Sequence, residues 1–173
     1  QRQTVRLVQG HRSPATAQLK RPKTARRESD VKIEAIKSDA PAPLAHYTEA
    51  WKVGDFVFAA GQLASDYKTG IPPEARTDPA FPYYGSDIKK QTAYILNNLK
   101  KTFEAAGSSL DHVVKAQVFL TDLNDFDAFD EVWKQYFKVP PARSTIGTTG
   151  LLVVDTIVEI DLIGYVPGNG MTC

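Results

Sequence analysis

Two charged residues in the last third of the sequence have the types and positions of catalytic groups. Arg143 follows the rigid Pro140-Pro141 turn at the start of a predicted strand, where a guanidinium can hold a planar carboxylate through two parallel hydrogen bonds. Glu159 lies among apolar residues in a second predicted strand, where an ionised carboxylate costs free energy unless it is paired, solvated in a cavity or protonated. Those conditions are typical of a general acid or base.

Each residue also has a purely structural interpretation. Arg143 would then form a structural ion pair, and Glu159 would lie on the outward face of an edge strand. If the two act together, we expect both side chains to open into one solvent-filled crevice. The fold around them decides between these interpretations.

The sequence lacks the common motifs of nucleotide, nucleophile and metal chemistry. It contains no glycine-rich phosphate loop, no GxSxG and no HExxH. His11, His46 and His112 are scattered, and the single cysteine, Cys173, is the last residue, which makes a histidine or thiolate metal cluster improbable. We therefore expect no histidine or thiolate metal site.

Positive charge is concentrated at the start of the chain. Residues 1–30 hold eight Lys or Arg and two acidic residues, a net charge of +6, whereas the remaining residues hold 13 and 18, a net charge of −5. An acidic body is poorly suited to a polyanion, so nucleic-acid binding, if any, would use residues 1–30. That segment is also rich in arginine and poor in acids, as transit peptides are, so a targeting or membrane-surface role stays open, but we favour a solvated extension without such a role. No apolar run is long enough to span a bilayer, and we expect a cytoplasmic protein.

The sequence predicts strands and a long loop for residues 31–86. An imperfect apolar alternation from Val31 to Ile36 predicts an opening strand, and residues 47–53 and 56–60 flank Gly54-Asp55 as in a hairpin. Residues 65–86 are rich in proline and glycine and predict a loop. Loops of this length inside compact domains are often functional.

The second half predicts two helices and three strands. Ser86 or Asp87 begins a helix that Gly107 ends, with one apolar stripe made by Ile88, Thr92, Ile95, Leu99, Phe103 and Ala106. Residues 113–120 predict a buried strand, and 126–138 predict a second helix whose buried side carries Phe126, Phe129, Trp133 and Phe137. Strands are predicted at 143–149 and 156–166. This order indicates an α+β fold with both helices on one face of a mixed sheet. We expect a basic extension at 1–30, one domain at 31–167 and a tail at 168–173.

Five segments, taken in order, carry a resemblance to a known family. They are VGDFVFAAGQ at 53–62, AG at 106–107, VVKAQVFLTDLNDF at 113–126, PARS at 141–144 and VEI at 158–160. This ordered set resembles the Rid family of reactive-intermediate imine and enamine deaminases, also called the YjgF family. The resemblance implies a chorismate-mutase-like fold and a homotrimer whose sites lie in clefts between subunits. It further implies hydrolysis of 2-imino or 2-enamino acids to 2-oxo acids and ammonia, with no metal or organic cofactor.

The resemblance also assigns roles to individual residues. Arg143 matches the arginine that holds the substrate carboxylate, and Glu159 matches the glutamate that orients or activates water. The other matched positions, which would line the substrate site, are Tyr47, Gly61, Thr145 and Asp130. Asp130 stands where an asparagine is common, and Ala60 where a serine is common. These departures keep open an alternative function, a trimeric small-molecule binding or sensing module with little catalysis.

Overall fold

The computed structural model describes residues 31–168, which form one mixed β-sheet and two α-helices. The strands are β1 Ile33–Ile36, β2 Ala50–Val53, β3 Phe56–Ala59, β4 Gln62–Leu63, β5 Val113–Leu120, β6 Ala142–Gly147 and β7 Val158–Tyr165. The helices are α1 Asp87–Ala105 and α2 Phe126–Tyr136. The predicted extension at 1–30 and all but the first residue of the predicted tail lie outside the described residues, so both boundaries stay predictions.

The sheet order is β1-β2-β3-β7-β5-β6, with the short β4 pairing to β7 beyond the end of β3. Strands β5 and β6 pair in parallel, and the other pairs formed by residues 31–168 are antiparallel. Because β7 lies between β3 and β5, Glu159 is on a central strand. The interpretation of Glu159 as an edge-strand residue is therefore wrong.

Local sequence signals explain the hairpin and the first helix. Gly54 occupies the left-handed region with φ of 60° in the two-residue turn between β2 and β3, and the predicted hairpin is confirmed, although β2 begins at Ala50. After α1, Gly107 has φ of 80°, its N–H donates to the Glu104 carbonyl, and the Ser108 N–H donates to the Phe103 carbonyl. These two bonds form a Schellman motif, which ends the helix where the sequence predicts it.

Both helices cover the same face of the sheet, as predicted. The α1 stripe is buried, and so are the alternate strand residues that meet it, Ala116, Val118, Leu120, Val158, Ile160 and Leu162. The residues between them in β7, Glu159 and Asp161, therefore point to the opposite face of the sheet, which we call the open face. The alternation of β7 thus fixes where Glu159 points.

Helix α2 begins at Phe126 as predicted, but it departs from the prediction in its last turn and in one residue of its buried side. It stops at Tyr136, before the predicted 138, and Phe137 continues in an extended conformation towards the Pro140-Pro141 turn. Phe126 was expected on the buried side of this helix, but it is 36% exposed. The reason is its position at the first turn, where its ring faces the guanidinium of Arg143 instead of the core.

Candidate functional site

A large cavity opens around Glu159. Its volume is about 1010 Å³, and it lies between the β3–β4 junction, the segment before β2 and the start of the long loop. Its lining includes Leu44, His46, Tyr47, Trp51, Gly61, Tyr67, Lys68, Leu152, Val153 and Glu159. One carboxylate thus lies among aromatic and aliphatic side chains. A second space of about 350 Å³, lined by Phe119, Thr148 and Leu152 among others, reaches the same carboxylate from the other side.

Gly61 makes room for the carboxylate of Glu159. A Cβ atom placed on Gly61 would lie 3.0 Å from Glu159 Cδ and 3.3 Å from Cγ, and it would overlap Oε1. The register explains this approach, because Leu63 pairs with Glu159 and brings the β3–β4 junction across β7. The sequence-based assignment put Gly61 and Glu159 in one site, and the structure brings these two residues together.

The surroundings of Glu159 favour its protonated form. Burial raises the pKa of this carboxyl group above its ordinary value, and the nearby Asp161 carboxylate on the same face raises it further. A raised pKa makes the carboxylate a stronger proton acceptor, and the protonated group can return the proton. This is the property that a water-activating residue requires.

Two tyrosines stand beside Glu159. The Tyr67 hydroxyl accepts a hydrogen bond from the Leu63 N–H at 3.4 Å, and Tyr67 lines the same cavity as Tyr47. Burial first, and then Tyr47, raises the pKa of Tyr67, so its hydroxyl stays neutral and able to donate. Tyr47 lines the cavity with 43% of its surface exposed. The structure therefore brings Tyr47 to Glu159, as the resemblance implies.

Tyr67 is a residue that the sequence analysis missed. It has a φ of 55°, rare for a bulky side chain, and a network around Asp66 holds it there. The Asp66 carboxylate accepts from the backbone N–H groups of Lys68, Thr69 and Gly70, and the Tyr67 N–H donates to Ser65 Oγ. An aspartate followed by Thr69-Gly70 is a turn signature, and this signal could have indicated a fixed aromatic residue inside the loop.

Arg143 lies elsewhere, against helix α2. Its Nη2 donates to Asp130 Oδ1 at 2.9 Å, and its guanidinium carbon lies 4.9–5.4 Å from the ring centres of Phe126, Phe129 and Trp133. Arg143 and Asp130 side chains are only 17% and 19% exposed. The structural ion pair considered from the sequence is thus present.

Arg143 and Glu159 do not meet within one chain. Arg143 pairs across β5 with Ala116, whose side chain faces the helices, whereas Glu159 lies on the open face. The two residues line different cavities, the Arg143 one having a volume of about 550 Å³. The expectation that they share one crevice is therefore wrong for a single chain. Successive side chains of a strand point to opposite faces of a sheet. The sequence did not specify the strand order, and therefore it did not show that Arg143 and Glu159 point to different faces.

Thr145 and Asp130 follow Arg143 rather than Glu159. Thr145 lies two residues after Arg143 on β6, paired with Val118 on the helix-covered face, and it is absent from the cavity around Glu159. The Asp130 carboxylate joins Arg143 to Lys134, whose Nζ lies 2.7 Å from Oδ2. The six predicted site residues therefore form two groups, one around Glu159 and one around Arg143.

Residues 31–168 contain no group of three or more histidine, cysteine or acidic side chains placed to hold a metal ion. Within the same range, no helix combines the length and the hydropathy that a bilayer crossing requires.

Comparisons with known proteins place this arrangement in a wider context. The sequence model of a family described as endoribonuclease L-PSP matches residues 37–166. A RutC family protein of Pyrococcus horikoshii is 40% identical over 128 residues, which cover 73% of this chain and 92% of the relative. A protein of Dermatophagoides farinae named 2-iminobutanoate/2-iminopropanoate deaminase is 33% identical, over 70% of this chain and 91% of its own.

Solved structures give the same result for the fold. The structure of Escherichia coli TdcF with bound serine superposes with a TM-score of 0.65 and 30% identity, covering 76% of this chain and 98% of TdcF. The predicted chorismate-mutase-like α+β fold is thereby confirmed.

Proposed function

Because this chain belongs to the endoribonuclease L-PSP family, also called the Rid family, we propose that it is an imine and enamine deaminase. Its substrates are reactive 2-imino and 2-enamino acids, and its products are 2-oxo acids and ammonia. The activity for which the Dermatophagoides farinae relative is named supports this proposal.

One observation carries the proposal. Glu159 is a half-buried carboxylate with a raised pKa, held against Gly61 and beside two tyrosines in an aromatic cavity large enough for a small organic molecule. Imine hydrolysis needs a group that takes a proton from water and returns a proton to nitrogen. Glu159 has the ionisation and the surroundings for both steps.

The proposed reaction uses only side chains and water. A water molecule hydrogen-bonded to Glu159 attacks the C=N carbon, forming the new C–O bond while the π electrons of the C=N bond move to nitrogen and Glu159 accepts a proton from that water. Glu159 returns this proton to the nitrogen, which gives the neutral carbinolamine. Glu159 then takes the hydroxyl proton of the carbinolamine and passes it to the nitrogen, so that the C–N bond breaks, the C=O bond forms and ammonia leaves. The guanidinium of Arg143 binds the substrate carboxylate and fixes the position of the reacting carbon.

Since one chain keeps Arg143 away from Glu159, we propose that the site is completed between subunits of a homotrimer. Two features support this arrangement. Strand β6, which carries Arg143 and Thr145, lies at the edge of the sheet, and its outer side pairs with no other strand of residues 31–168. The open face also exposes Trp51, Phe56 and Phe58 by 43%, 53% and 42%. Exposed apolar patches of this kind are typical of protein–protein contacts.

An assay on enzymatically generated imines tests this function. An amino-acid oxidase supplies 2-iminobutanoate or 2-iminopropanoate, and the rate of 2-oxo acid formation is measured with and without the protein. Glu159→Gln keeps the shape of the side chain and removes the base, so we expect turnover to fall by about 10²–10⁴-fold. Undiminished turnover in that variant would remove Glu159 from the mechanism.

The anchor role of Arg143 has its own test. Arg143→Lys keeps the positive charge but loses the planar guanidinium that Asp130 and three aromatic rings hold in place, so we expect it to weaken substrate binding, as Arg143→Ala does. Wild-type turnover by Arg143→Lys would refute the anchor.

A cytoplasmic location also stays a proposal, which imaging of the tagged chain tests.

A binding or sensing module is the second candidate function. The observation in its favour is that Asp130 already accepts a hydrogen bond from Arg143, the residue proposed to bind the substrate. Stabilisation of the protein by small 2-oxo or amino acids, without ammonia release from any imine, would select this function.

A further inference from the structure

The cluster around Arg143 contains a donor with no partner. Nη2 is bound to Asp130, whereas Nη1 is buried and makes no hydrogen bond to residues 31–168. A buried donor left unpaired costs about 1–3 kcal/mol, so such groups usually face a ligand or ordered water. Three aromatic rings hold the guanidinium plane in place. Asp130 therefore takes up Nη2 of Arg143 and leaves Nη1 as the nitrogen that still lacks an acceptor among the described residues.

Asp130 changes what that donor can attract. Its pKa is lowered, first by the hydrogen bond from Lys134 and then by Arg143, so it stays ionised at neutral pH. A ligand carboxylate at Nη1 would be the second anion on the same guanidinium and would be repelled by Asp130. An uncharged carbonyl oxygen accepts the same hydrogen bond without that repulsion. Lys134 offsets only part of the effect, because its side chain is 72% exposed and screened by solvent.

We propose that Asp130 sets ligand selectivity by occupying one edge of Arg143, so that this site accepts uncharged 2-imino amides about as readily as 2-imino acids. The inference rests on the proposed function, because it assumes that Arg143 faces the substrate. It makes Asp130 a specificity-determining residue. The proposed substrates thereby include neutral 2-imino amides as well as 2-imino acids.

Two stable product analogues test the inference. Pyruvate and pyruvamide differ only in the charge and hydrogen-bonding pattern of one group, and calorimetric titration of each into the full chain gives the ratio of their dissociation constants. For the wild type we expect a ratio near unity. In Asp130→Asn the amide keeps the size of the side chain and removes the charge, so we expect the ratio to shift by about tenfold in favour of pyruvate.

Two further variants complete the design. Asp127→Asn makes the same chemical change on an exposed residue of α2 and should leave the ratio at the wild-type value. Lys134→Gln removes the second cation on Asp130, which leaves that carboxylate to Arg143 alone, so it should weaken pyruvate binding by about threefold and pyruvamide binding less. Lys134→Gln therefore shifts the ratio in the direction opposite to Asp130→Asn.

The outcomes separate this inference from the proposed function. An unchanged ratio in Asp130→Asn overturns the inference, even if the same preparation hydrolyses 2-iminobutanoate. A shifted ratio in a protein without deaminase activity supports the selectivity role and overturns the proposed function. Failure of all variants to bind either compound overturns both.

Discussion

Replacing Gly61 with alanine is the sharpest perturbation of the Glu159 site. The new Cβ would overlap Glu159 Oε1, an approach that real Cβ atoms essentially never show, and it would lie 3.0 Å from Cδ. The backbone at Gly61 does not occupy the left-handed region, so alanine fits its conformation and the carboxylate end of Glu159 must move. The substitution therefore displaces a functional group without touching it chemically.

The size of the effect follows from the role of Glu159. Loss of a positioned general base costs about 10²–10⁴-fold in rate, or about 3–5 kcal/mol of transition-state stabilisation. Replacing glycine at a compatible position stabilises the fold by about 0.4–1 kcal/mol through the unfolded chain, which offsets part of the cost of moving Glu159. We therefore expect turnover to fall towards the Glu159→Gln level while the melting temperature changes by less than about 4 °C.

The assay is deamination of oxidase-generated 2-iminobutanoate, measured together with thermal unfolding. Gly168→Ala is the matched control, because a Cβ there meets no atom within 4 Å. The double variant Gly61→Ala/Glu159→Gln should be no slower than the slower single variant, since both changes remove the same interaction. Wild-type turnover in Gly61→Ala, with the melting temperature unchanged, would refute the claim that this contact positions the base.

Two further predictions concern ionisation and the tyrosine pair. The pKa of Glu159 is raised and its ionised form is the base, so kcat/KM should fall on acidification around a midpoint above the ordinary pKa range of glutamate. Glu159→Gln should lose this pH dependence. A midpoint at or below the ordinary range would contradict the burial argument. Tyr67→Phe keeps the ring and removes the hydroxyl that accepts from the Leu63 N–H, so we expect about 1 kcal/mol lower stability in denaturant titration and reduced turnover. Stability and turnover both equal to wild type would show that the hydroxyl has no role.

Local features of the fold were predictable because their causes are local. The α1 stripe repeats every three or four residues, Gly107 supplies the left-handed residue of a Schellman motif, and the alternation of β7 divides core from open face. Gly54-Asp55 likewise predicts the hairpin without reference to the rest of the chain. Each of these signals is complete within a few residues.

The arrangement of the site was less accessible from the sequence. No local pattern shows that β6 pairs in parallel with β5 or that β7 lies at the centre of the sheet, and these pairings decide which way Arg143 and Glu159 point. The Asp130–Arg143 contact joins a helix to a strand across the Pro140-Pro141 turn. Tyr67 reaches Glu159 only because the Asp66 network folds the loop back. Non-local pairing and loop geometry thus set what the residue types alone leave open.

Subunit complementation tests most directly the central claim that Arg143 of one subunit acts with Glu159 of another. Arg143→Ala and Glu159→Gln are each expected to be nearly inactive, and they are co-expressed so that their subunits assemble at random. In a symmetric oligomer with shared sites, about one quarter of the sites then carry both native residues, and about that fraction of wild-type turnover should return. If the mixed oligomers form and stay as inactive as the separate variants, the two residues do not act across a subunit boundary.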